Sequence, residues 1–240
     1  MRQGIRARCA VAALVGLLLA LGGCVQSSFT TTDKLQRRAA DLRIVLMPID
    51  VTLAEVTTGG NLEANAEWTA SGRQHLTSAL GEFLDQRNVR TVAYREPVSD
   101  PDRARFHTQI VKLHSAVGRS ILRHQYQQSP AVLPTKKDRF DWSLGPQVGA
   151  LGTEYSADYA LFVHVEDSYA SEGRVAAQVV VAILFGVVMP GGVQVGFASL
   201  VDLKTGEIVW FNRLLRREGD LRQPDPARET VRALMDKFPT

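Results

Sequence analysis

Apolar residues recur along this chain with two periods, and the switching between them lays out its elements. Ile44-Val45-Leu46-Met47 within Arg43–Ile49 is apolar without interruption and ends at Pro48, the pattern of a strand buried on both faces and closed by a turn. A loop follows at Thr57-Thr58-Gly59-Gly60-Asn61. Trp68, Gly72, Leu76, Ala79, Leu80 and Phe83 then return at steps of three and four, one face of a helix whose other positions carry Arg73, Glu82, Asp85 and Arg87. Asn88–Tyr94 predicts a turn into a second strand. Asp100-Pro101 has a capping oxygen just before a first-turn proline, so a helix starts there. Phe106, Ile110, Leu113, Val117 and Ile121 give that helix a long apolar stripe.

Ser129–Asp138, with Pro130 and Pro134, interrupts the pattern. Gly145, Gly149 and Gly152 then repeat at helical spacing within Leu144–Tyr155, predicting a short helix packed closely on a sheet. Ala157–Val165 is apolar on both faces, as a central strand should be. After the polar Glu166–Arg174 comes a stretch without a single charge, Val175–Met189, whose one polar side chain is Gln178. Val193–Leu203 and Glu207–Leu215 form a hairpin around Asp202-Leu203-Lys204-Thr205-Gly206, where Gly206 supplies a positive φ. Asp225-Pro226 opens a last helix with Val231, Leu234, Met235 and Phe238 on one face. The order predicts an α/β fold: a mixed sheet of about five strands covered by helices, with an apolar insert before the C-terminal hairpin.

The first two dozen residues follow a different rule. Arg2, Arg6 and Arg8 precede an apolar run from Cys9 to Leu21, too short for a membrane-spanning helix and closed by Gly22-Gly23-Cys24. That is the layout of a secretory signal peptide, and Leu21–Cys24 resembles the lipobox of bacterial lipoproteins. The resemblance implies cleavage between Gly23 and Cys24, lipidation of Cys24, and attachment to a membrane. Val25 rather than Asp after the cysteine implies sorting to the outer membrane, with the domain on its periplasmic side. Residues 24–42, rich in Ser, Thr and Gln, are expected to be a flexible tether, and 43–240 a single α/β domain. Fully extended, such a tether reaches ~60 Å, although a coil of that length averages only ~25 Å.

Composition narrows the chemistry. The net charge of +3 over 240 residues belongs entirely to Arg2, Arg6 and Arg8, since residues 1–24 contain no acid. From Cys24 onward the surface is charge-balanced and offers no general field for nucleic acid. With Cys9 removed and Cys24 lipidated, no thiol is left for a disulfide, a cysteine-ligated metal or thiol redox chemistry. There is no Gly-x-Ser-x-Gly elbow, no His-Glu-x-x-His pair and no phosphate-binding Lys-Ser/Thr loop. His107, His114 and His124 share one helix but at spacings of seven and ten, which do not converge on one metal; a satisfied or solvated role is expected for each. His164, between Val163 and Val165, is expected to be a buried, hydrogen-bonded imidazole. No cofactor or metal site is expected.

Asp141–Gly145, Ala157–Phe162, Gly196–Asp202, Thr205–Trp210 and Gly219–Arg222 together resemble a family of uncharacterised proteobacterial lipoproteins. That family is similar in its predicted elements to the curli-secretion lipoprotein CsgG and the penicillin-binding-protein activator LpoB. The likeness covers roughly residues 140–239 and implies an accessory role in the envelope; it carries over no catalytic residue. Membrane barrels of the CsgG kind need long alternating hairpins, and Val175–Met189 is too short and does not alternate. As a helix that insert would extend ~22 Å, less than the ~30 Å hydrocarbon core. It is either a helix buried against the sheet or an insert presenting Val180, Leu184, Phe185 and Val188 to a partner subunit or the membrane interface. Two functions are therefore weighed: a non-enzymatic docking or assembly module, with a protein partner or self-association, and a cell-wall hydrolase using Glu166 or Asp167, which cluster with Glu172 at a strand end.

Overall fold

A computed structural model of the protein describes residues 28–30, 42–126, 133–136, 139–173, 193–217 and 219–239. Its frame is one mixed sheet. The five expected strands are present as β2 (Ile44–Leu46), β5 (Thr91–Ala93), β6 (Tyr159–Ala170), β7 (Gln194–Asp202) and β8 (Ile208–Arg216). Three more join them: β1 (Ser28–Thr30), β3 (Asp50–Val56) and β4 (Leu62–Ala64). The sheet runs β1-β8-β7-β6-β2-β5, with β3 continuing beside β6 beyond β2 and β4 on its outer side. β2 and β3 both lie parallel to β6, β5 lies parallel to β2, and the β6-β7-β8-β1 half is antiparallel.

β2 and β3 are in effect one strand with an extra residue. Leu46 pairs with Leu161 and Asp50 with His164, so four steps on one side oppose three on the other. Such a bulge inverts the faces of the strand that follows it. Val45 and Met47 face one side of the sheet; beyond the bulge the odd residues Val51 and Leu53 face the opposite side. Pro48 suits this place because it has no N–H to give to the ladder. The same shift turns Asp50 toward the face that Val45 occupies.

Four helices cover the sheet among the described residues. α1 (Ala66–Asp85) and α4 (Pro224–Leu234) pack together on one face, over Leu53, Val163, Leu200 and Trp210. α2 (Pro101–Gln125) and α3 (Gly149–Tyr155) cover the other, over Val45, Phe162, Phe197 and Phe211. Asp100 caps α2 as the sequence signals, accepting from the Arg103 amide at 3.0 Å. Asn65, not singled out from sequence, caps α1 by accepting from the Trp68 amide at 3.0 Å. The last helix begins at Pro224 after Gln223 with no side-chain cap, one residue before the expected Asp225-Pro226. The expected helix over 144–155 begins late. Gly145 stands outside it at φ 83°, a 3₁₀ turn occupies Pro146–Val148, and only Gly149–Tyr155 is α-helical. Pro146 lacks the N–H and fixes the φ that make a natural start. Gly149 and Gly152 nonetheless pack closely, against the backbone and side chain of Leu203. The last helix stops at Leu234, and Phe238 is buried beyond its end, edge-on to Trp210.

Ser28–Thr30 lies within the stretch expected to be flexible tether, but its backbone pairs antiparallel with β8, Ser28 opposite Asn212 and Thr30 opposite Trp210. The cause is the outer edge of β8, whose unpaired N–H and C=O groups are open to an added strand. The expected tether is therefore not free along its whole length. The rest of 24–42, including Cys24, lies outside the described residues, as do Gly23 and the signal sequence.

Candidate functional site

Among the described residues, side chains of catalytic type converge under the middle of α2. β6 alternates, so Phe162, His164 and Glu166 point toward α2. The bulge in β2–β3 brings Asp50 to the same face, opposite His164. From α2, Lys112, Ser115 and Arg119 descend at steps of three and four. His164 Nδ1 lies 3.1 Å from Asp50 Oδ2, and Nε2 lies 3.3 Å from Glu166 Oε1 and 3.3 Å from Arg119 Nη2. Ser115 Oγ donates to Asp50 Oδ2 at 2.6 Å, Lys112 Nζ to Asp50 Oδ1 at 2.9 Å, and Arg119 closes onto Glu166. Phe197 packs against the imidazole with centroids 4.9 Å apart.

Aspartate, histidine and serine within reach of one another invite comparison with a nucleophilic triad, and the geometry rejects it. In a working triad the serine and the acid take different ring nitrogens. Here Asp50 and Ser115 crowd the same Nδ1, the latter at 3.4 Å, while Nε2 faces Glu166 and Arg119. Ser115 spends its single proton on Asp50 and is buried. The cluster holds α2 to the sheet. Hydrogen bonding from His164, with Ser115 and Lys112 beside it, outweighs burial and keeps the Asp50 carboxyl far below the usual carboxylate range. Burial raises the Glu166 carboxyl, but Arg119 and His164 more than offset it and hold it low. Both acids are thus held as carboxylates.

Glu166 and Asp167 cannot serve as a catalytic pair, because neighbours on a strand face opposite ways. Asp167 is 3% exposed on the α1–α4 side. There it accepts from Gln194 at 2.9 Å and from the Tyr169 hydroxyl; Tyr169 in turn accepts from the Leu221 amide at 2.9 Å. Gln194 continues the chain to Thr230 at 2.8 Å, and Thr230 to Arg216 at 3.2 Å. Burial pushes both the Asp167 carboxyl and the Tyr169 hydroxyl up. Arg222 lies 4.0 Å over the Tyr169 ring and is paired with Asp220. This network ties β6, β7, β8 and α4 together and spends Asp167 on it, on the face opposite Glu166.

The helix histidines part company as expected. His107 bridges Tyr94 at 3.1 Å and Glu154 at 3.0 Å, tying α2 to β5 and α3. His114, fully enclosed, meets Ser199 Oγ at 2.9 Å and stacks on Phe162. Burial depresses its pKa to about 3, so it is a neutral core group. Among the described residues no set of three His, Cys, Asp or Glu is arranged to hold a metal. A recess of about 420 Å³ beside β5 is lined by Arg43, Arg95, Arg103, Glu96 and Glu154, but Arg43 is spent on the Tyr155 carbonyl and Arg103 pairs with Glu154.

Val180, Leu184, Phe185 and Val188 lie outside the described residues, so neither expectation for the apolar insert is decided. Its flanks are visible: the Ser171 amide bonds the Val56 carbonyl, and the Ser168 amide bonds that of Val193. Asp50, Lys112, Ser115 and Arg119 were not among the residues singled out from sequence. The available signal was the spacing of the last three, a polar stripe on the helix face that also buries His114 and Gly118.

No protein-family model matches the chain, and no curated protein matches it. Among solved structures it is similar to the PelC dodecamer from Paraburkholderia phytofirmans, at 11% identity and a TM-score of 0.39, covering 90% of this chain and 99% of that one. It is also similar to lipoprotein GNA1162 from Neisseria meningitidis, at 12% identity and 0.29 over 74% of this chain and 81% of that one. A third is the LpoB C-terminal domain from Salmonella enterica, at 11% and 0.28 over 74% and 83%. LpoB, one of the two proteins the sequence resemblance named, is thus among the similar structures. At these scores the likeness carries no argument about activity.

Proposed function

We propose that this protein is a non-enzymatic lipoprotein of the bacterial envelope, held at the periplasmic face of the outer membrane through Cys24. Its domain serves as a docking or assembly module for a protein partner or for further copies of itself. The observation that carries the non-enzymatic reading is the shared Nδ1 of His164. The assembly of catalytic-type side chains found among the described residues spends its protons and charges on joining α2 to β3 and β6. The basic head, the apolar run and Leu21–Cys24 support the anchor. Several acyl chains on one cysteine suffice for stable attachment.

The test is Cys24→Ser in the full chain. The native protein is expected to incorporate labelled palmitate and to sediment with outer-membrane markers, and the variant to lose both. Palmitate retained in the variant would remove Cys24 as the lipidation site. Native protein banding with inner-membrane markers would overturn the sorting.

A further inference from the structure

We infer that the pole of the sheet at the C-terminal ends of β3, β6 and β8 is the face this domain turns to the lipid bilayer. This rests on the lipid anchor proposed above and adds an orientation to it. The first observation is the direction of β1. Ser28 opposes Asn212 and Thr30 opposes Trp210, so the chain leading back from Ser28 points toward Arg216, the C-terminal end of β8. Cys24 precedes Ser28 by four residues, and four residues span at most about 14 Å however they are arranged. Ser28 stands opposite Asn212, midway along β8, so it is the direction of β1 and not the length of the linker that turns the anchor toward Arg216.

The second observation is independent of the anchor. Five large apolar side chains are exposed among the described residues, and three of them stand at this pole. Leu215 is 60% exposed and is the register partner of Val195, 36% exposed, so the two lie side by side on one face. Leu62, 67% exposed, opposes Val56, which opposes Ala170 at the very end of β6. The exposed Arg217 follows directly on β8. Exposed Glu63 and Glu172 share this pole with Arg217, so it is the apolar side chains and not the charge that suit the boundary of the acyl chains. The other pole, at the β7–β8 turn, presents Lys204 and Thr205 and is polar. The bilayer is chosen over a protein partner because the direction of β1 turns the lipid-bearing N-terminal side toward this pole.

The test uses the lipidated full chain in vesicles of phosphatidylethanolamine and phosphatidylglycerol that carry headgroup spin labels. Cys24 is consumed by its lipid, so Leu215→Cys or Lys204→Cys supplies one thiol for a fluorophore. Quenching several-fold stronger at position 215 than at 204 is expected, and Leu62→Cys should behave as 215 does. Equal quenching at 215 and 204, or stronger quenching at 204, overturns the orientation while leaving the anchor intact. Protein that fails to incorporate palmitate and does not float with the vesicles overturns the anchor itself, and the orientation with it.

Discussion

Gly118 on α2 faces Phe197 so closely that a Cβ there would stand 2.0 Å from a ring carbon. Phe197 has no room to retreat, since it stacks on Phe211 and packs against His114 and His164. Gly118→Ala is therefore expected to cost roughly 2–3 kcal/mol, the upper part of the range for overpacking, read as a lower urea midpoint with an unchanged slope. His114 makes a prediction about acid. Its folded pKa, depressed to about 3 by burial, lies below the ordinary 6.5. The unfolded chain thus takes up a proton there that the folded chain refuses. Its contribution to stability is complete above 6.5 and is lost as pH falls toward 3. Asp50, held low, begins to matter only below its ordinary 3.8. Between about pH 6.5 and 4 the fall in thermal midpoint should therefore be steeper in the native protein than in His114→Gln. Parallel curves would show that His114 does not set this limb.

At the scale of elements, the caps and turns are where sequence reading succeeds. Asp100 before Pro101 and Gly206 in the β7–β8 turn are local signals whose meaning depends on a few neighbours. Gly206 takes φ 80°, as expected, and also leaves no room for a Cβ beside the Gly145 carbonyl. Asp100→Ala should cost about 1 kcal/mol through loss of the α2 cap, measurable as a lower thermal midpoint with the helix content retained. What was not legible depends on distant chain. β1 and β4 are three residues each and exist because an edge of β8 or β3 is there to receive them. β3 was hidden because Pro48 reads as an end, whereas the strand resumes after it. Asp50 could not be assigned to the His164 cluster without knowing that face.

At the scale of the whole molecule, the fold is two cores separated by one sheet, and two connected groups of polar side chains are built into them. Asp50–His164–Glu166 serves the α2 side and Asp167–Tyr169–Gln194–Thr230 the α1–α4 side. A partly satisfied polar network is worse than an apolar one, so these groups reward a single arrangement of the layers. Of the cluster residues the sequence singled out only His164, Glu166 and Asp167, and their use as fasteners was not legible there. His164 and Glu166 stand two apart in sequence, whereas Asp50 and Arg119 arrive from 114 and 47 residues away.

The extra residue between β2 and β3 gives that strand something like a reading frame. Upstream of Pro48 the odd positions speak to one core, and downstream they speak to the other. Pro48→Ala keeps the count and should leave a folded domain with dispersed side-chain resonances. Deleting Pro48 removes a single residue but shifts every later position of the strand by one. Asp50 would then be directed among Leu76, Leu80 and Val163, and Val51 and Leu53 toward Ser115 and Arg119. No well-ordered domain should survive, and the far-UV and near-UV spectra of the deletion variant would record its loss. The strand is thus sensitive to the number of its residues before it is sensitive to their kind.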